Sequence, residues 1–129
     1  PVVSAYNHNG NKLGTLVALN KSADGVSEAA HDVAMQVAAM NPVAVDKDDV
    51  DQDTINKEIE IGKDQARQEG KPEAMLEKIA MGKLNQFFKE NTLLNQAFIK
   101  DSSKSVSGYL KDYDKELTVT SFKRFMLGE

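Results

Sequence analysis

The chain has 129 residues, 40% hydrophobic and 28% charged, the size and balance of one globular domain around a single core. Sixteen basic against twenty acidic residues give a formal charge of −4, which argues against nucleic acid or an anionic membrane surface as the main partner and suggests a protein partner. The absence of cysteine removes disulfides, thiolate nucleophiles and zinc-thiolate sites and fits a reducing compartment. No apolar run approaches the ~20 residues of a membrane helix. Pro1-Val2-Val3 opens in what reads as a strand, without methionine or a basic-then-apolar leader, so a piece of a longer chain with no signal peptide is expected.

Val2 to Tyr6 and Leu13 to Leu19 are β-prone runs, and Asn9-Gly10 between them supplies the positive φ angles of a tight hairpin turn. Val26, Ala30, Val33, Val37 and Met40 then recur at helical spacing, predicting a helix with one core-facing stripe that Asn41-Pro42 stops. Asp46 to Asp53 reads as an acidic loop leading into a helix start, where negative charge is favoured. The helix from Thr54 to Gln68 carries few apolar residues, Ile55, Ile59, Ile61 and Ala66. Gly70-Lys71-Pro72 places glycine after one helix and proline at the start of the next, expected from about Pro72 to Glu90 with Leu76, Ile79, Ala80, Leu84 and Phe87 on one side. Two thinly apolar helices with so short a connection predict an antiparallel hairpin over residues 51–91, standing partly clear of the rest.

Seven of the eight aromatic residues lie between Phe87 and Phe125, so the core is expected to gather there. A short helix is predicted from Lys104 to Tyr113, introduced by Ser102-Ser103, with Val106 and Leu110 inward. Leu117 to Leu127 alternates imperfectly and reads as a last strand, bulged, that pairs with the first hairpin. The fold class is α+β: a small antiparallel sheet packed with helices, plus a projecting helical hairpin.

Few groups converge for catalysis. No phosphate-binding glycine loop follows a strand, so no nucleotide and no cofactor is expected on this chain. The Asp46 to Asp53 run lacks the glycine and final glutamate of a calcium loop and reads as solvated. His8 beside the turn reads as a loop histidine, and Lys78, Lys83 and Lys89 as the wet face of the hairpin. Lys123-Arg124 is too small for a nucleic-acid patch. His31 stands out. With Val26 at zero on a wheel of about 100° per residue, His31 falls near ~140°, Met35 near ~180° and Ala38 near ~120°, away from the core stripe. Either that second, partly apolar face is covered inside the domain, or His31, Met35 and Ala38 bind a partner.

Leu16-Val17-Ala18, then Ala30-His31-Asp32-Val33-Ala34-Met35-Gln36-Val37-Ala38-Ala39 and Asn41-Pro42, resemble the bacterial translation elongation factor Ts family, in which a Leu-Val-Ala strand precedes a helix of pattern His-x-[Ile/Val]-Ala-Met-x-Val-Ala-Ala. Gly70-Lys71-Pro72 resembles the family's hairpin tip, Lys104-Ser105-Val106 its Lys-[Ser/Thr]-Val helix start, and Phe122 to Glu129 its final strand. The resemblance implies that residues 1–129 are the C-terminal half of the family's core, or dimerisation, domain with its hairpin, in a cytoplasmic protein that promotes guanine nucleotide exchange on elongation factor Tu without covalent chemistry. It carries His31 over as a contact with elongation factor Tu and leaves a homodimer open. The family's N-terminal helical module and the half-core with Thr-Asp-Phe-Val do not align, and no Thr-Asp-Phe occurs here. Two rival readings stay open: an independent helical-hairpin adaptor, and a small hydrolase with His31 as base.

Overall fold

A computed structural model of the protein describes residues 2–8, 13–22 and 24–126, with His8 described by its backbone only. In chain order come β1 (Val2–His8), β2 (Leu13–Leu19), α1 (Val26–Met40), α2 (Gln52–Gln68), α3 (Leu76–Asn91), β3 (Ala97–Phe98), β4 (Asp101–Ser105), α4 (Val106–Lys111) and β5 (Val119–Met126). The architecture is the α+β class that the patterning predicts, and no helix among the described residues is long and apolar enough to cross a membrane. β1, β2 and β5 form an antiparallel sheet in that order. The last strand does pair with the first hairpin, with a register shift at Ala18/Leu19. The Asn9-Gly10 turn and Leu127 lie outside the described residues.

Because successive strand side chains alternate between faces, one face of the sheet presents Val17 and Leu19 to α1, whose Val26, Ala30, Val33 and Val37 complete the packing. Burying each of these valine and leucine side chains is worth on the order of 1.5–3 kcal/mol, so this interface is a major source of the domain's stability. Across the same face, Tyr6 pairs with Thr15 and Thr15 with Arg124, and α1 lies over that row. The Thr15 hydroxyl donates to the Ala34 carbonyl at 2.9 Å, a buried bond that fixes the helix over the central strand. Leu93, Phe98, Val106 and Leu110 close the core at the flank of α1.

Several sequence expectations are corrected. The stretch from Phe87 to Phe125 supplies about half of the core, through Leu93, Phe98, Val106, Leu110, Leu117 and Val119, but of its aromatic residues only Phe98 is buried, with Tyr109, Tyr113 and Phe122 packed against the cluster half-buried. The tyrosines keep their hydroxyls in a polar network, and Phe125 lies exposed on the outer face of the sheet. Met40 continues the core stripe in sequence but is 46% exposed, because it is the last residue of α1. The short helix starts at Val106. Ser102, Ser103 and Lys104 belong to β4, and Ser105 caps the helix by accepting from the Gly108 amide at 3.0 Å. The acidic run supplies caps: Asp46 closes a capping box on a 3₁₀ turn at Lys47–Asp49, and Asp51 accepts from the Thr54 amide at 2.7 Å at the start of α2.

α2 packs principally on α3. The seam is made of Gly62 and Ala66 from α2 with Leu76, Ala80 and Leu84 from α3. A Cβ on Gly62 would stand 3.2 Å from the Ala80 Cα, so glycine lets the two backbones approach closely. Gly70, at φ 79, ends α2, with the Lys71 amide bonded to the Ala66 carbonyl and the Gly70 amide to that of Arg67, both at 3.0 Å. The expected helix from Pro72 begins as a 3₁₀ turn, Glu73–Met75, before α3 proper. At the base, the Val43 amide donates to the Asn91 carbonyl at 2.7 Å and those of Leu93 and Leu94 to Ala44 and Val45 at 2.9 and 3.0 Å. Entry and exit of the helical pair are thus tied together by the domain itself.

Two predictions follow from these contacts. Replacing residues 60–81 by a short Gly-Ser turn should leave a domain that unfolds cooperatively, because the base is held independently and loop closure depends weakly on length; loss of cooperative unfolding by circular dichroism would show that the helical pair belongs to the main core. Asp51→Ala should lower the thermal midpoint by a few degrees at neutral pH. The Thr54 amide and then its side chain hold the Asp51 carboxyl below its ordinary pKa. Its contribution is therefore present above the unfolded-state value and lost as pH falls through the lowered folded-state value, so melting curves of variant and parent should converge in acid.

Candidate functional site

The outer strip of α1 carries the residues singled out by sequence. His31 is exposed and Met35 half-buried, which overturns coverage inside the domain for His31. The imidazole stands edge-on to the Tyr6 ring with centroids 5.5 Å apart, so β1 orients the side chain without burying it. Ala38 is different. The wheel puts it beside His31, yet it is only 5% exposed, with Arg124 of β5 reaching across and its Nη2 3.5 Å from the Ala38 carbonyl. A wheel sees one helix, and the group that reaches the Ala38 carbonyl comes from a strand 86 residues away in sequence. Among the described residues the contact given for the His31 ring is with Tyr6, and no hydroxyl or carboxylate is hydrogen-bonded to it.

The opposite border of the strip is polar and buried, and sequence reasoning missed it. Asp32, 6% exposed, accepts from Lys100 Nζ at 3.0 Å through Oδ1 and from the Tyr109 hydroxyl at 2.6 Å through Oδ2. Tyr109 spends its proton on Asp32, so Tyr113, 3.0 Å away, donates to Tyr109. The Tyr109 ring stacks on Phe98 with centroids 4.0 Å apart. Burial, then the hydrogen bond to Asp32, push the Tyr109 phenol well above its ordinary pKa, and the Asp32 hydrogen bond raises that of Lys100. One turn along, the fully buried Gln36 donates to the Ala97 carbonyl at 3.0 Å and to Gln96 Oε1 at 3.2 Å, and accepts from the Ile99 amide at 2.9 Å. Asp32 and Gln36 are polar residues four apart on a helix flank, a spacing that marks one shared neighbour, and this was the available signal.

The other candidates do not join this strip. The His8 side chain lies outside the described residues. The acidic run is occupied in capping, and among the described residues no group of three or more His, Asp or Glu could hold a metal ion. Lys78, Lys83 and Lys89 lie on α3, and Lys123 and Arg124 on β5. What the fold assembles is an open surface: a helix strip bordered by β1 and β5 on one side and by the β3–β4 turn on the other.

The whole chain, residues 1–129, matches the family model described as elongation factor TS. It is similar to elongation factor Ts of Flavobacterium psychrophilum, 61% identical over 126 residues, which covers 98% of this chain and 46% of that protein. It is similar also to elongation factor Ts of Cytophaga hutchinsonii, 62% identical over 126 residues (97% and 45%), and of Christiangramia forsetii, 58% over 128 (99% and 47%). By these matches this is a translation elongation factor sequence. The chain belongs to the elongation factor Ts family, and it spans about half the length of the curated relatives it matches.

Because His31 and Met35 contribute little to the core, replacing both by alanine should cost less than about 1 kcal/mol of stability. A much larger fall in denaturant-unfolding free energy would place them in the core.

Proposed function

We propose that this chain binds elongation factor Tu and supports release of its bound GDP, so that GTP can enter, during protein synthesis. It acts through non-covalent contact, makes and breaks no bond, carries no cofactor, works in the cytoplasm, and needs neither nucleic acid nor membrane. The observation that carries the reading is the open strip of α1, with His31 and Met35 presented by a fully packed helix in a chain of the elongation factor Ts family. His31 and Met35 are the contact residues, and Ala38, 5% exposed with its carbonyl 3.5 Å from Arg124 Nη2, lies beside them at the edge of the strip. Residues 1–129 act as the C-terminal part of the core domain with residues 51–91 as an inserted helical hairpin, and a second copy of the chain stays a candidate partner beside elongation factor Tu.

His31→Ala with Met35→Ala should weaken binding to elongation factor Tu by on the order of 1–2 kcal/mol while the fold persists. Unchanged affinity in a titration of labelled elongation factor Tu would remove the strip from the interface.

Exchange needs more than contact. A ligand shifts an equilibrium only by its differential affinity for the two states, here the nucleotide-free and the GDP-bound partner. No Thr-Asp-Phe, the motif that the family resemblance assigns to disturbing the nucleotide site, occurs in these 129 residues. The chain by itself should therefore bind weakly and scarcely accelerate GDP release. Stopped-flow release of a fluorescent GDP with saturating chain checks this, and acceleration matching a full-length elongation factor Ts would place the exchange machinery in this half.

A further inference from the structure

The β3–β4 turn is poorly held by its own strands. Pairing is limited to Ala97↔Ser105 and Phe98↔Asp101, with a register shift between them, and so short a two-stranded ribbon is unstable alone in water. Ile99 and Lys100 form the turn, with Ile99 41% exposed. What fixes them is α1. Gln36 takes the Ile99 amide and the Ala97 carbonyl, and Asp32 takes the Lys100 ammonium, so both residues of the turn are tied to helix positions that border the His31–Met35 strip.

An apolar side chain at position 32 would satisfy burial more simply, since a buried carboxylate is costly unless paired and hydrogen-bonded. Here the pairing is complete and directional: one oxygen faces Lys100 on the turn, the other Tyr109 on α4, and Tyr113 backs Tyr109. Three elements that share no long strand pairing meet at one carboxylate. A network of this kind fixes orientation in a way that non-directional apolar packing does not. We propose that Asp32 is a positioning residue which, through Lys100 and Tyr109, holds the β3–β4 turn so that Ile99 extends the His31–Met35 strip into one contact surface for elongation factor Tu. The inference rests on the preceding reading for the identity of the partner, while the positioning itself is testable without one.

Amide hydrogen exchange tests the positioning in the free chain. Tyr109→Phe keeps the ring on Phe98 and removes only the hydroxyl; it should speed exchange at the Ile99 amide about tenfold while β2 and the centre of α1 keep their rates. Lys100→Met, altered at a half-exposed side chain, should do the same and serves if Tyr109→Phe does not fold. Unchanged protection at Ile99, or an equal loss throughout the chain, overturns the positioning role. Binding tests the contact. Ile99→Ala should weaken the complex with elongation factor Tu about 3–10-fold, Tyr109→Phe less, and the double variant no more than Ile99→Ala alone, since the hydroxyl acts through the turn. Additive losses, or a neutral Ile99→Ala beside a damaging His31→Ala, overturn the extended surface and leave the proposed function standing. Neutral results at His31, Met35 and Ile99 together overturn the contact strip itself.

Discussion

Everything in this domain depends on how α1 is enclosed. On the wheel, its exposed arc is only about a third of the circumference, from Ser27 through His31 and Met35 to Ala39. The sheet takes one side through aliphatic contact and through the Thr15 hydroxyl on the Ala34 carbonyl. The segment from Leu93 to Tyr109 takes another through Asp32 and Gln36. A helix clamped on two sides can neither rotate nor slide without stranding buried polar groups, at a cost of about 1–3 kcal/mol each. The strip left open is consequently rigid, which lowers the ordering entropy that binding has to overcome.

The two borders of the strip differ in chemistry. On the sheet side, Tyr6 and Arg124 lean against His31 and Ala38 without burying His31. On the other side, the contacts are hydrogen bonds, between Asp32 and the Lys100 and Tyr109 side chains and between Gln36 and the Ala97 carbonyl and Ile99 amide. Apolar packing sets how deep the helix sits, whereas these bonds set where a two-residue turn lies beside it. The helical pair α2–α3 is separate from both. Its seam of Gly62, Ala66 and Ala80 is internal, and its base, at Val43 to Asp46 and Glu90 to Gln96, is bonded to the domain.

Much of the fold was legible in sequence because its signals are local. The stripe of Val26, Ala30, Val33 and Val37 specifies a helix face, Asn41-Pro42 its end, and Gly70 the left-handed residue that closes α2. The exposure of His31 followed from the same wheel. Errors fell where a local pattern met a distant element. Ser102 to Lys104 reads as a helix start, yet these residues lie on β4 opposite β3, and Ser105 does the capping. The run of aromatic residues promised a core, and Leu93, Phe98, Val106, Leu110 and Leu117 of that stretch do enter it with Tyr109, Tyr113 and Phe122 packed against it, but β2 and α1 supply the other half.

Sequence by itself determined the α+β class, most element boundaries, the family resemblance and the face of α1 that carries His31 and Met35. These rest on periodicity, turn chemistry and motif order, all of which act over a few residues. Tertiary structure alone decided that Ala38 is covered, that Met40 is not, and that Asp32 and Gln36 bind a turn more than sixty residues further along. Burial and hydrogen-bond partners are properties of pairs of elements, and no window along one element contains its neighbour.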